Sequence, residues 1–302
     1  MKLHTYTVAA AAMALIVTQT TLAQPAQPSP AAKSSLHTRP SSAKPGRKIV
    51  YTGQRAYSLG KKITKTIKGR YLLYLPEDYG QAGKTWPLIL FLHGSGERAG
   101  GGKIHPKLAK VGLPKTLQRG SGFPFIVLTP QCPTGRWWTD ADVARMVMTM
   151  LDDVCEKYKV DKKRIYLTGL SMGGFGTWYL AQNFPNRFAA IVPVCGGGNL
   201  YLNRRLRKMP VWVFHGAKDK NVPVRNAYEM AGTLRQMGGN VRLKVFPNLG
   251  HIMWDQVYTD PKLYQWLMQQ RLGAPGPRAK PKKTRPNTPP SPAVKNEVPI
   301  PK

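Results

Sequence analysis

The chain has 302 residues, which is enough for one large domain with appended segments or for two small domains. Its 46 lysines and arginines outnumber 14 aspartates and glutamates and give a formal net charge of +32. A charge of this size fits a polyanionic partner, but we favour the alternative of a solvated basic surface with basic tails. Zinc-finger, Walker and G-x-G-x-x-G patterns are absent from any context that supports metal or nucleotide binding, so no metal site and no specific nucleic-acid contact is expected.

The N-terminal segment has the features of a signal peptide. Lys2 supplies a positive charge, and residues 8–17 form an apolar run that is too short to span a bilayer. Small residues around Ala23 form a cleavage site before Gln24. We therefore expect a signal peptide over residues 1–23, export to the periplasm or the exterior, and no membrane span.

Two segments lack the composition of a packed domain. Residues 24–47 are rich in proline, alanine and serine, and residues 273–302 are rich in proline, lysine and arginine. We expect a disordered linker and a disordered basic tail, the tail being the part that would contact a polyanion weakly. The folded domain is then residues 48–272, a usual size for one α/β domain.

Strand and helix patterns alternate along this domain. Apolar or alternating runs predict strands, in chain order, at 63–75, 87–92, 123–128, 164–168, 189–194, 210–214 and 241–246. Helical spacing of apolar residues predicts helices at 140–159, after 171, at 224–237 and at 261–271. The order predicts an α/β fold with a mostly parallel central sheet, right-handed crossovers and helices on both faces.

The fourth strand leads into the turn Gly169-Leu170-Ser171-Met172-Gly173, which is followed by a helix. Strand, G-x-S-x-G turn and helix together are typical of the nucleophile elbow of α/β-hydrolases, whose serine is exposed on a strained turn. The glycines permit close backbone approach, and the Met172 N–H at the helix N-terminus is placed to stabilise an oxyanion. The alternative is a glycine-rich turn carrying a surface serine.

A nucleophilic serine needs a histidine base and a carboxylate that orients it. In this fold the order is serine, acid, histidine, and only His251 follows Ser171 with an acid between them. The acid is Asp219, after a strand, or Glu229, in a predicted helix; we favour Asp219, although a turn aspartate and a structural loop histidine stay open. His215, at a strand end, is expected to be structural.

The loop after the strand at 87–92 begins with His93-Gly94-Ser95-Gly96. Its glycines permit the backbone to approach a substrate, so we expect the Ser95 N–H to act with the Met172 N–H as the oxyanion hole. A plain glycine-rich turn is the alternative.

The motifs together resemble a known family. They are similar to the single-domain esterases related to prolyl oligopeptidases, phospholipase/carboxylesterases and dienelactone hydrolases. The segments that carry the resemblance are 92–98, 168–174, 215–219 and 250–255. The resemblance implies a triad of Ser171, Asp219 and His251, hydrolysis of carboxylic esters, and no metal or organic cofactor. Some members of this family cleave acetyl or feruloyl groups from plant polysaccharide.

Three tryptophans suggest the substrate class. Trp137, Trp138 and Trp254 are expected on loops around the site, where indole faces suit a sugar ring or an aromatic acyl group. The alternative is that some of them pack beneath the loops. We therefore expect a secreted serine esterase acting on a small-molecule or polysaccharide ester, with a short-chain or aromatic acyl group on carbohydrate.

Two other functions fit parts of the sequence. A serine peptidase of the prolyl oligopeptidase type would use the same triad, but the family's propeller domain has no counterpart here. A non-catalytic hydrolase-fold protein held to an anionic polymer by its basic tails would leave the serine, aspartate and histidine without a role.

The three cysteines are expected to be unpaired, because Cys132 and Cys195 follow strands too far apart in the sheet for a disulfide.

Overall fold

A computed structural model of the protein describes residues 66–100, 102–118 and 122–274. The predicted signal peptide 1–23, linker 24–47, the domain's first residues 48–65 and the tail beyond 274 lie outside the described residues. Among the helices that the structure describes, none has the length and apolar character needed to cross a bilayer.

The centre of the domain is a seven-stranded sheet with the strand order β1-β3-β2-β4-β5-β6-β7. The strands are β1 Tyr71–Tyr74, β2 Trp86–Leu92, β3 Ile126–Pro130, β4 Val160–Leu170, β5 Ala190–Val194, β6 Val211–Gly216 and β7 Val241–Phe246. All neighbouring pairs are parallel except the edge strand β1, which runs antiparallel to β3. The predicted mostly parallel sheet is confirmed.

Helices cover both faces of this sheet. They are α1 Gly112–Leu117, α2 Ala141–Lys157, α3 Met172–Asn183, α4 Arg225–Gln236, α5 Trp254–Tyr258 and α6 Pro261–Met268. The apolar run of β2 is entirely buried and alternates between the two faces. Leu88 and Leu90 pack in the core beneath α2, α3 and α4, while Ile89 and Phe91 pack in the core beneath α1, α5 and α6. A strand without a polar side is what a sheet buried on both faces requires.

Some element boundaries differ from those predicted. β4 begins at Val160, because Tyr158 takes extended backbone at the end of α2 and leads directly into the strand. Its exposed lysines masked this early start in the sequence. The short helices α1 and α5 were not predicted; α1 contains Gly112 and Pro114, which weaken a helical pattern.

The parallel strands place their carboxyl ends along one edge of the sheet, which is where ligands bind in open α/β sheets. The loops that follow β2, β3, β4, β5, β6 and β7 all leave from this edge, and they carry the residues selected from the sequence.

Candidate active site

Ser171 lies in the turn between β4 and α3 with φ 53° and ψ −117°. This backbone conformation is strained for a residue with a side chain and is typical of a nucleophile elbow. The turn is held by hydrogen bonds from Ser171 N–H to Val194 O at 3.0 Å and from Phe175 N–H to Ser171 O at 3.1 Å. A Cβ at Gly173 would overlap the carbonyl oxygen of Leu92, and one at Gly169 would overlap that of Gly173. The two flanking glycines are therefore a steric requirement of the turn.

The structure brings three side chains from distant parts of the sequence into one line. His251 Nε2 lies 2.9 Å from Ser171 Oγ, and His251 Nδ1 lies 2.8 Å from Asp219 Oδ2. A carboxylate only accepts, so Nδ1 carries the proton and Nε2 is free to accept from the serine hydroxyl. This is the geometry that transfers a proton from serine to histidine.

Asp219 is buried in the loop after β6 and is fixed by the backbone that follows it. Its Oδ1 accepts hydrogen bonds from Asn221 N–H at 2.9 Å and from Val222 N–H at 2.8 Å. Glu229 instead accepts from Arg225 Nε at 2.6 Å on the outer surface of α4. Of the two candidate acids, the structure brings Asp219 to His251.

His215, at the end of β6, lies beneath the acid. Its Nε2 is 2.9 Å from Val222 O and 3.3 Å from Asp219 Oδ2. Both neighbours accept, so Nε2 carries a proton. Burial lowers the pKa of His215 below its ordinary value, which keeps the ring neutral.

Two backbone amides are the candidates for the oxyanion hole. Met172 is the first residue of α3, and Ser95 begins a short 3-10 turn after β2. Leu92 pairs with Gly169 across the sheet, so the loop carrying Ser95 leaves beside the elbow. Neither N–H donates to another group of the residues described here, which leaves both available to an oxyanion.

The tryptophans fall into two groups. Trp254 meets His251 edge to face at 5.6 Å between ring centres, and Trp137 is 46% exposed on the loop after β3. Trp138 is fully buried, which is a correction to its expected place on the substrate rim. Its ring fills the space beside Gly176, and its Nε1 donates to His93 O at 2.9 Å. It supports the loop after β2 from below.

Cys195 is a further residue at this site that the sequence analysis did not assign to it. It has φ 41°, and its thiol, the Asp219 carboxylate and the His251 ring have ligand atoms within 4.8 Å of one another. Burial raises the pKa of the Cys195 thiol to about 12, so the thiol stays protonated and is a poor metal ligand. Because the other two groups are bonded to each other, this cluster fits a triad better than a metal centre.

Residues 133–256, which include the elbow, Asp219 and His251, match the family described as the dienelactone hydrolase family. The fold is that of an α/β-hydrolase. The resemblance inferred from the motifs is thereby confirmed, as is the predicted fold.

This α/β-hydrolase is similar to several named proteins and solved structures. A bifunctional acetylxylan esterase/xylanase from Neocallimastix patriciarum is 29% identical over 153 residues, which are 49% of this chain and 21% of that protein. A putative carboxymethylenebutenolidase from Aquifex aeolicus (strain VF5) is 29% identical over 159 residues, covering 46% of this chain and 68% of the relative. The crystal structure of a thermostable esterase superposes with a TM-score of 0.58 at 30% identity, covering 67% of this chain and 59% of that one. The hydrolase spans only about a fifth of the length of the bifunctional relative.

Proposed function

We propose that this α/β-hydrolase cleaves carboxylic esters through an acyl-enzyme on Ser171. The observation that carries the proposal is the line of hydrogen bonds from Ser171 Oγ through His251 to Asp219, at 2.9 Å and 2.8 Å, on a strained elbow. The similarity to a thermostable esterase and to an acetylxylan esterase/xylanase supports the same reaction class.

Each residue has one role in the proposed reaction. Ser171 Oγ forms a bond to the acyl carbon while its proton passes to His251 Nε2, and the carbonyl electron pair becomes an oxyanion. The N–H groups of Ser95 and Met172 donate to that oxyanion. When the tetrahedral intermediate collapses, the bond to the alcohol breaks and His251 returns the proton to it. Asp219 holds the imidazole in position and stabilises its charged form.

Water completes the cycle. It attacks the acyl-enzyme while His251 takes its proton, and His251 then gives that proton to Ser171 Oγ as the bond to the acyl carbon breaks and the acid product leaves. The sum is one ester and one water converted to one acid and one alcohol.

We propose short-chain or aromatic esters of carbohydrate as the substrates. Trp254 packs against the catalytic histidine and Trp137 presents an exposed indole on a loop of the same sheet edge. Flat aromatic faces bind sugar rings and aromatic acyl groups well. The acetylxylan esterase/xylanase from Neocallimastix patriciarum is a relative with a carbohydrate ester in its name.

The experiment is a panel of nitrophenyl esters of increasing acyl length, measured beside acetylated xylan and methyl ferulate. We expect highest kcat/KM on acetyl or feruloyl esters, and a loss of several orders of magnitude in Ser171→Ala. Best activity on long-chain esters would contradict the substrate class. Activity on peptide anilides without activity on esters would favour the peptidase alternative.

A matched pair of variants tests the choice of acid. Asp219→Asn removes the acceptor that selects the histidine tautomer and is expected to lower kcat by about 10⁴-fold. Glu229→Gln changes an exposed ion pair with Arg225 and is expected to leave kcat within about twofold, since surface pairs contribute little. An inactive Glu229→Gln beside an active Asp219→Asn would overturn the assignment.

Export is proposed from residues 1–23. N-terminal sequencing of the protein recovered from the periplasm or medium of its source cells should give Gln24 as the first residue. Intact protein that begins at Met1 in the cytoplasmic fraction would contradict export.

A further inference from the structure

Gln131 directly follows β3, and its side chain is 4% exposed. Its Oε1 accepts from His105 N–H at 2.7 Å, while its Nε2 donates to Glu97 O at 2.7 Å and to Cys132 O at 3.0 Å. The orientation of the amide follows from these partners, because a backbone N–H only donates and a carbonyl only accepts. A reversed amide would face like groups at all three contacts.

The loop after β2, which Gln131 contacts, is held by hydrogen bonds to side chains. His93 Nδ1 donates to Gly94 O at 2.6 Å, and His93 Nε2 accepts from Cys132 N–H at 3.0 Å. Arg98 Nε donates to Ser95 O at 3.0 Å. With the bonds from Trp138 to His93 O and from Gln131 to Glu97 O, four carbonyl groups of the loop accept from side chains.

These bonds fix the direction of the Ser95 N–H. In a trans peptide the carbonyl and the following N–H point in opposite directions. Gly94 O points to the His93 ring, so the N–H of Ser95 in the same peptide plane points away from that ring. The His93 ring is itself held by Cys132 N–H, next in sequence to Gln131.

We propose that Gln131 is a positioning residue that preorganises the oxyanion hole. Its amide ties the end of β3 to the 3-10 turn Ser95–Glu97, which holds the Ser95 N–H where negative charge develops. Because Gln131 is buried, its proposed role is to act through the backbone of the loop after β2. This inference rests on the proposed function, since it assigns the Ser95 amide to the oxyanion.

Gln131→Met tests the proposal, because methionine has a similar length and lacks the amide. Gln182→Met is the matched control: Gln182 is 1% exposed and its Nε2 donates to Asn199 O at 2.7 Å and Asn203 Oδ1 at 3.0 Å. The same substitution there removes a comparable buried amide away from the loop after β2. Gln131→Asn, which keeps the amide on a shorter chain, is the second variant if Gln131→Met does not fold.

Three quantities are measured for each variant: the concentration of active sites by titration with a fluorophosphonate, kcat and KM on nitrophenyl acetate, and the affinity for a trifluoromethyl ketone. The ketone forms an adduct with Ser171 that bears an oxyanion, so its affinity reports on the hole. We expect kcat per active site to fall about 100-fold in Gln131→Met, with KM within about threefold and a parallel loss of ketone affinity. Gln182→Met should keep the wild-type kcat per active site.

Each other outcome overturns the proposal. Wild-type kcat per site in the folded Gln131 variants would show that the amide does not position the hole. Equal losses of kcat per active site in the Gln131 and Gln182 variants would show that the Gln131 amide contributes only to general stability. A wild-type protein that neither hydrolyses esters nor reacts with the fluorophosphonate would overturn the proposed function itself, and this inference with it.

Discussion

His215 Nε2 lies 3.3 Å from Asp219 Oδ2, the oxygen that also accepts from His251 Nδ1 at 2.8 Å, and the side chains of His215 and Asp219 are fully buried. The His215 Nδ1 has no partner among the described residues. Burial lowers the pKa of His215, so the ring stays neutral and adds no positive charge beside the acid. Its Nε2–H donates to Val222 O at 2.9 Å, and the Val222 N–H in turn donates to Asp219 Oδ1, so His215 supports the loop that holds the acid.

This contact predicts a positioning role for His215. His215→Phe keeps the ring shape and removes the donor, and we expect kcat/KM to fall about 10-fold with KM little changed. His215→Gln restores a donor and should recover part of the loss. Activity is measured on nitrophenyl acetate per titrated active site. A Phe variant as active as the wild type would show that Asn221 and Val222 hold Asp219 unaided.

Substitution of the two adjacent tryptophans, Trp137 and Trp138, is predicted to affect different properties: substrate binding at the exposed Trp137 and stability at the buried Trp138. Trp138→Ala opens a cavity under the loop after β2 and is expected to lower the free energy of unfolding by about 3–5 kcal/mol. Trp137→Ala, at an exposed position, should cost less than about 1 kcal/mol and instead raise KM for a carbohydrate ester more than for nitrophenyl acetate. Urea unfolding and steady-state kinetics on both variants provide the measurement. Equal losses in the free energy of unfolding in Trp137→Ala and Trp138→Ala would contradict the finding that only Trp138 is buried.

His93 predicts a pH dependence of stability. Burial lowers the pKa of His93 to about 4, below the value of about 6.5 in an unfolded chain. The unfolded state therefore takes up the proton first as the pH falls. The contribution of the neutral ring to stability is complete above about pH 6.5 and is lost progressively down to about pH 4.

The test compares wild type with His93→Gln, whose side chain does not titrate. Between pH 7 and pH 5 the free energy of unfolding of the wild type should fall by about 2 kcal/mol more than that of the variant. Parallel pH curves for the two proteins would mean that His93 titrates normally in the fold.

The thiols predict an order of reactivity. Cys132, Cys155 and Cys195 are all free, as expected from the strand spacing, and burial raises the pKa of Cys132 and Cys195 to about 12. Cys155 is only partly buried, on α2. Iodoacetamide at pH 8 should modify Cys155 first in the native protein, and all three thiols after unfolding without reductant. Mass spectrometry of tryptic peptides measures this, and first modification at Cys195 would contradict the burial.

The fold was largely predictable because its strongest signals are local. β2 could be predicted from a run that is apolar on both faces, and the strand, turn and helix around Ser171 could be predicted from their own sequence pattern. Each of these patterns is contained within about fifteen residues. Boundaries were less predictable: β4 starts with exposed charged residues that carry no strand pattern, and α1 contains a glycine and a proline.

The site was predictable where chain order and residue chemistry restrict the choice, as for His251 and Asp219. It was not predictable where the role depends on packing. Trp137 and Trp138 are identical in type and adjacent in sequence, yet one is exposed and the other fully buried. Gln131 gave a weak signal, a polar residue after an apolar strand, and two of the three hydrogen bonds of its amide are to loops far away in the sequence.

The proposed mechanism depends most directly on the nucleophilicity of Ser171. The decisive measurement is the intact mass of the native protein after reaction with a fluorophosphonate, followed by peptide mapping. The proposed mechanism predicts one adduct per chain, located on Ser171, and none in Ser171→Ala; in His251→Ala the adduct should form orders of magnitude more slowly. An unmodified wild-type protein, or an adduct on any other residue, would contradict it.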